Sequence, residues 1–66
     1  MQMIAVYSRA IIAIGYDAGT KQMRISFHQG HSYDFFDVPL AIHNGLISAV
    51  SKGAYYNQHI RDRYQR

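Results

Sequence analysis

The strongest constraint on this chain is a short alternation, Met23, Ile25 and Phe27 interleaved with Arg24, Ser26 and His28. A period of two is the signature of a strand with one buried and one wet face, so these residues need a sheet around them. The flanks supply it. Upstream, Ile12, Ile14 and Tyr16 alternate with Ile11 and Ala13, and Asp17-Ala18-Gly19-Thr20 carries the Asp and Gly of a tight turn. Downstream, Gln29-Gly30-His31 reads as a second turn into Ser32-Tyr33-Asp34-Phe35-Phe36-Asp37-Val38. The pattern predicts a three-stranded antiparallel meander between Ser8 and Val38. Residues 1–7 are compatible with an extra edge strand or a loose arm.

Pro39 ends the sheet, because it cannot donate to a ladder and its fixed φ suits a helix start. Ile42, Leu46, Ala49 and Val50 then form an apolar stripe at helical spacing, with Gly45 a mild internal weakness. Ser51 is a good N-cap for a second helix, which carries Tyr56, Ile60 and Tyr64 at steps of four on one face. The predicted fold class is α+β: the meander followed by two helices packed on one face, as a single domain over residues 1–66.

Size limits how this is stabilised. A domain of 66 residues buries only about 60% of its unfolded surface. Without cysteine it has neither disulfides nor thiolate metal ligands. Packing of six tyrosines and three phenylalanines, or self-association, must supply the rest. The longest apolar run, Ala10 to Ile14, is far short of the roughly 20 residues that span a bilayer. The N-terminus lacks the basic region and apolar core of a signal peptide. A cytoplasmic protein without membrane association is the expectation.

The formal net charge of +3 is unevenly spread. Over residues 1–40, Arg9, Lys21 and Arg24 cancel Asp17, Asp34 and Asp37, whereas beyond them Lys52, Arg61, Arg63 and Arg66 face Asp62 alone. A local basic surface attracts anions. It coincides with Ser51-Lys52-Gly53, a helix start whose first-turn N–H groups lack intrahelical partners, where Gly53 allows close approach and Lys52 adds charge. The alternative is purely structural: Ser51 caps, Gly53 permits a tight inter-helix turn, and Lys52 is solvated. Tyr33 and Phe35, two apart on a strand, share a face and form either a stacking platform or part of the core. The reading favours both inward, with Phe36 and Val38 an equally good core face. Tyr55 cannot share the Ile60 stripe with Tyr56 and is the candidate exposed ring.

Catalytic chemistry has no support in the pattern. The four acidic residues are all Asp and scattered, and no Ser, His and Asp have a spacing that recommends a triad. His28 and His31 form the only close histidine pair, straddle Gly30, and lack further ligands, so surface histidines without metal are expected. No cofactor is implied.

The spacing of Ser8, Ile11, Ile14-Gly15-Tyr16-Asp17, Phe27, Gly30, Val38-Pro39, Ser51-Lys52-Gly53, Tyr56-Asn57 and Ile60-Arg61 resembles the KTSC domain family. That family is named for a domain at the C-terminus of some lysyl-tRNA synthetases and also occurs as a free-standing small protein in bacteria and their phages. The resemblance covers roughly Ser8 to Tyr64. The family's central Tyr-x-Tyr stands here as Tyr33-Asp34-Phe35, one hydroxyl short. The resemblance implies RNA as a suggested ligand. Together these readings predict a small non-enzymatic binding module contacting phosphates of RNA, another nucleic acid or a nucleotide through Ser51, Lys52, Gly53, Tyr55, Asn57, Arg61 and Arg63, with Tyr33 and Phe35 as stacking candidates. The alternatives are a homo-oligomerising or adaptor module with a protein partner, or a nucleotide-sequestering protein.

Overall fold

Two side-chain and backbone devices fold residues 11–35 into consecutive hairpins. At the first, Asp17 Oδ1 accepts from the N–H groups of Gly19 at 2.9 Å and Thr20 at 3.4 Å, so a short polar side chain substitutes for a backbone partner. At the second, Gly30 sits at φ 95°, a left-handed conformation that glycine adopts without a Cβ penalty. The computed structural model describes residues 1–65, and Arg66, counted above with the basic C-terminal stretch, lies outside them. The strands are β1 (Met3–Ala5), β2 (Ile11–Asp17), β3 (Gln22–Phe27) and β4 (Ser32–Phe35), in one antiparallel sheet of that order. Residues 1–7 thus contribute an edge strand, with Ile4 opposite Ile14. Two helices, α1 (Leu40–Ser48) and α2 (Lys52–His59), follow.

The alternation expected around Ile12 does not hold. The register slips between Ile11 and Ala13, and a bulge of this kind places an extra residue on one strand and reverses the facing beyond it. Ile11 and Ile14, three apart, are therefore both buried, while Ile12 is 42% exposed. Across the inner face run the rows Ile14, Ile25, Tyr33 and Tyr16, Met23, Phe35. The outer face carries Gly15, Arg24 and Asp34 in another row, with Met3 lying over Gly15. Arg24 and Asp34 make a two-pronged pair there, Nε to Oδ1 at 2.6 Å and Nη2 to Oδ2 at 3.1 Å, and the Ser26 and Ser32 hydroxyls meet at 2.8 Å. This face satisfies its polar groups within the sheet.

The inner face is covered by the helices. Phe35 and Val38 both enter the core, although they belong to the two pairs that sequence parity set in opposition. The strand stops at Phe35, and Asp37 at φ 58° turns the chain so that Val38 folds under. Val38 is pinned by its N–H to the Lys21 carbonyl at 2.9 Å and by the Tyr16 hydroxyl, which donates to its carbonyl at 2.6 Å. Helix α1 docks through Leu46, fully buried, and through His43, whose ring stacks on Tyr16 at 4.5 Å and 16°. Val50, expected on the α1 stripe, is fully exposed, because the helix ends at Ser48 and Ala49 leaves at ψ 138°. Helix α2 and the turn after it supply Tyr56, Ile60 and Tyr64, as the steps of four predicted, with Ile60 fully buried. Tyr64 closes the domain by accepting the Phe36 N–H at 2.7 Å.

Candidate functional site

Ser51 caps α2 as expected: its backbone is extended and its Oγ accepts the Ala54 N–H at 3.3 Å. The cap therefore uses one of the first-turn donors that an anion would have used. Lys52 folds back, its Nζ donating to the Ala49 carbonyl at 3.1 Å across the junction between the helices. Gly53 has a packing reason beside any binding one. A Cβ there would stand 3.3 Å from the Ala10 Cβ, so its bareness lets the helix start approach the segment that precedes β2.

That segment is held in place from two sides. Ser8 Oγ accepts from the N–H groups of Ala10 and Ile11, both at 3.2 Å, and the Ala10 carbonyl accepts the His28 N–H at 3.0 Å. His28 Nε2 donates to the Ser8 carbonyl at 3.0 Å, coupling the end of β3 to the same turn. Between this turn and α2 lies a cleft of about 690 Å³. Arg9 and His28 line it from the turn and the end of β3, and Gly53, Asn57 and Arg61 line it from α2 and the turn that follows.

Aromatic rings line the rest. Phe27 meets Tyr33 at 5.8 Å and 66°, and Tyr56 at 5.1 Å and 68°; Tyr56 in turn meets Phe35 at 5.9 Å and 76°. These edge-to-face contacts are the geometry that ring quadrupoles favour. Burial raises the Tyr56 phenol above its ordinary value, with Arg61 acting in the opposite sense. It stays a neutral hydroxyl at physiological pH. Arg61 and Arg9 are exposed at the rim, and Asp62, 3.9 Å from Arg61 Nε, is the one acid on the lining. A smaller cleft of about 560 Å³ adjoins the first, sharing Arg9, Ala10 and Gly53, and adds Ser51, Lys52, Tyr7 and Val50.

The predicted residues thus separate. Gly53, Asn57, Arg61 and Tyr33 meet at the larger cleft, and Ser51 and Lys52 line the smaller. Phe35 is fully buried, so it is no stacking platform: it shares the inner face with Tyr33 but lies deeper, beneath Tyr56. Tyr55 lines neither cleft and is only partly exposed. Its ring packs against Gly45 of α1 and lies tilted at 41° against His59, 4.5 Å between centroids. Arg63 is exposed but away from both linings. Arg9 was missed. Its charge cancels in any tally along the chain, and only the tertiary approach of Gly53 to Ala10 brings it beside Arg61. His28 and His31 are exposed, and among the described residues no group of three or more His, Cys, Asp or Glu could hold a metal. No helix among the described residues is long and apolar enough to cross a membrane.

Comparison with known proteins bears on this geometry. A KTSC domain family model matches residues 7–64. A crystal structure of a KTSC domain protein from Yersinia pestis superposes with a TM-score of 0.92 and 33% identity, covering 96% of this chain and 89% of that one. A lysine–tRNA ligase from Trichormus variabilis is 32% identical over 50 residues, 76% of this chain but 9% of the ligase. A protein from Tsukamurella paurometabola is 32% identical over 63 residues, 96% of this chain and 94% of its own length. The chain spans about a tenth of the length of the ligases it matches.

Proposed function

The chain belongs to the KTSC domain family, and from that premise we propose that it is a small, non-enzymatic, cytoplasmic binding module whose larger cleft takes the phosphate groups of RNA or another nucleic acid. The observation that carries the reading is the convergence of Arg9 and Arg61, from opposite ends of the chain, on one cleft with a single acid on its lining. Guanidinium groups bind phosphate oxygens through paired, charge-assisted hydrogen bonds, so two of them across a cleft favour a phosphodiester over a neutral ligand. Asn57 adds amide donors, and the first turn of α2 presents its positive dipole end at Gly53. The lysine–tRNA ligase relatives, whose names place them with tRNA, support RNA as the first polyanion to try.

Fluorescence anisotropy with a labelled short RNA tests the reading. Arg9→Ala and Arg61→Ala should each weaken binding about tenfold or more, the loss of a hydrogen bond to a charged group. Arg63→Ala, off the cleft, should change it little. Failure of the wild type to bind, or an Arg63→Ala loss equal to the other two with the fold intact by circular dichroism, removes the cleft from consideration. Self-association is the second reading, favoured by Ile4, 57% exposed on the short edge strand β1. Sedimentation of the free protein would detect it.

A further inference from the structure

We propose that the two adjoining clefts act as one groove for single-stranded nucleic acid, with a phosphate held at Arg9 and unpaired bases stacked on Tyr33 at one end and Tyr7 at the other. This rests on the phosphate reading of the larger cleft and goes beyond it, because it fixes the strandedness of the ligand and the path it takes. Arg9, Ala10 and Gly53 line both clefts, so the two meet where the start of α2 approaches the turn before β2. In the proposed path the ligand crosses this meeting point, the saddle of the groove.

The chemistry along that path repeats. In the larger cleft a ring, Tyr33, is 44% exposed, with Phe27 set against it at 66° and the His31 ring tilted beside it at 6.2 Å. In the smaller cleft Tyr7 is fully exposed, beside an equally exposed Val50. Cations stand between and around the rings: Arg61 on the first side, Arg9 at the saddle, Lys52 on the second, against Asp62 alone. Alternation of exposed rings with cations along a groove is the pattern of single-strand binders, in which bases stack on aromatics while the backbone follows the charge. A duplex keeps its base faces stacked on one another and shows a protein mainly phosphates and sugar hydroxyls. It could use the arginines but would leave both tyrosines idle. An acidic peptide would satisfy the cations and likewise leave the rings without flat partners.

The test compares four polyanions by anisotropy competition: a uridylate dodecamer, the same dodecamer paired with its adenylate complement, a base-free polyphosphate of similar charge, and polyglutamate. The dodecamer should bind at least tenfold more tightly than any of the other three. Tyr7→Ala and Tyr33→Leu, the second keeping an apolar side chain against Phe27, should each weaken the dodecamer about 5- to 100-fold, the range for one stacked base. Both should leave polyphosphate binding unchanged. Equal affinity for the duplex, an undiminished dodecamer in both tyrosine variants, or displacement by polyglutamate as effective as by the dodecamer overturns the inference. If Arg9→Ala nevertheless weakens binding of single strand and duplex alike about tenfold, the phosphate cleft stands without the single-strand groove. If the wild type binds none of the polyanions, both readings fall together.

Discussion

Gly45 offers a test in which local propensity and tertiary packing predict opposite signs. It lies inside α1, where replacing an exposed helical glycine by alanine stabilises by about 1 kcal/mol through the loss of backbone freedom in the unfolded chain. In the folded domain, however, a Cβ on Gly45 would fall 2.6 Å from Cζ of Tyr55, inside van der Waals contact with a ring that bridges the two helices. Relief requires the ring to swing out and lose its contact with the His59 ring, or the helices to part. Overpacking of this kind costs about 1–3 kcal/mol, so the net for Gly45→Ala is a loss of about 1 kcal/mol. At a urea dependence of about 1 kcal/mol per molar, expected at this size, the midpoint should fall by about 1 M. The decisive comparison is the double-mutant cycle. In a Tyr55→Ala background the obstruction is gone, and Gly45→Ala should raise the midpoint, giving a coupling of roughly 2 kcal/mol. A midpoint that rises by about 1 M in the otherwise unchanged protein would show that Tyr55 does not rest on α1.

Two further outcomes follow from charge. With Arg9, Lys52 and Arg61 on the groove, the logarithm of affinity for a single strand should fall against the logarithm of salt with a slope of about −2, so binding drops roughly 20-fold between about 50 and 200 mM. Arg9→Ala should bring the slope to about −1.4, and an unaltered slope would remove Arg9 from contact with phosphate. On the outer face, the paired hydrogen bonds from Arg24 hold the Asp34 carboxyl below its ordinary range, with burial acting against them and the Arg24 charge adding to them. A depressed folded pKa means that the contribution is complete above the unfolded value, near pH 4, and is lost as pH falls through the folded one. Urea midpoints of Asp34→Asn, followed by circular dichroism, should lie below wild type at neutral pH and converge on it as pH falls below about 4; a gap that stays constant into acid would contradict the linkage.

How far the residues alone revealed this molecule depends on whether the cause was local. Asp17 and Gly30 determine their turns through their own backbone neighbours, and Ser51 caps through a bond three residues long, so all three were legible. Tyr56, Ile60 and Tyr64 were legible because one helix and its closing turn place them together. The bulge at Ile11/Ala13 and the left-handed Asp37 were not. Each is stabilised by what packs against it, and each reverses the parity on which alternation depends. Val50 misled because its spacing continues a helix that the chain leaves one residue earlier. On the lining of the larger cleft, Gly53, Asn57 and Arg61 are candidates that one helix and its boundary suggest, while Arg9 needs a contact spanning most of the chain. Tyr55 was assigned to solvent on the correct ground that it lies off the Ile60 stripe, but its face of α2 is turned to α1.

The hydrogen bond from the Phe36 N–H to the Tyr64 carbonyl has a consequence for the birth of the protein. The hairpins of the meander are local and form within about 1–10 μs of being released. Ile60 and Tyr64, which cover the inner face, are made last. At 5–20 residues per second, the ribosome takes roughly 1.5–6 s to travel from residue 36 to residue 64. Until Ile60 and Tyr64 are joined, Ile14, Ile25, Met23 and Phe35 lack the side chains that cover them in the finished domain. Vectorial synthesis therefore makes closure of this small domain wait for the arrival of Tyr64.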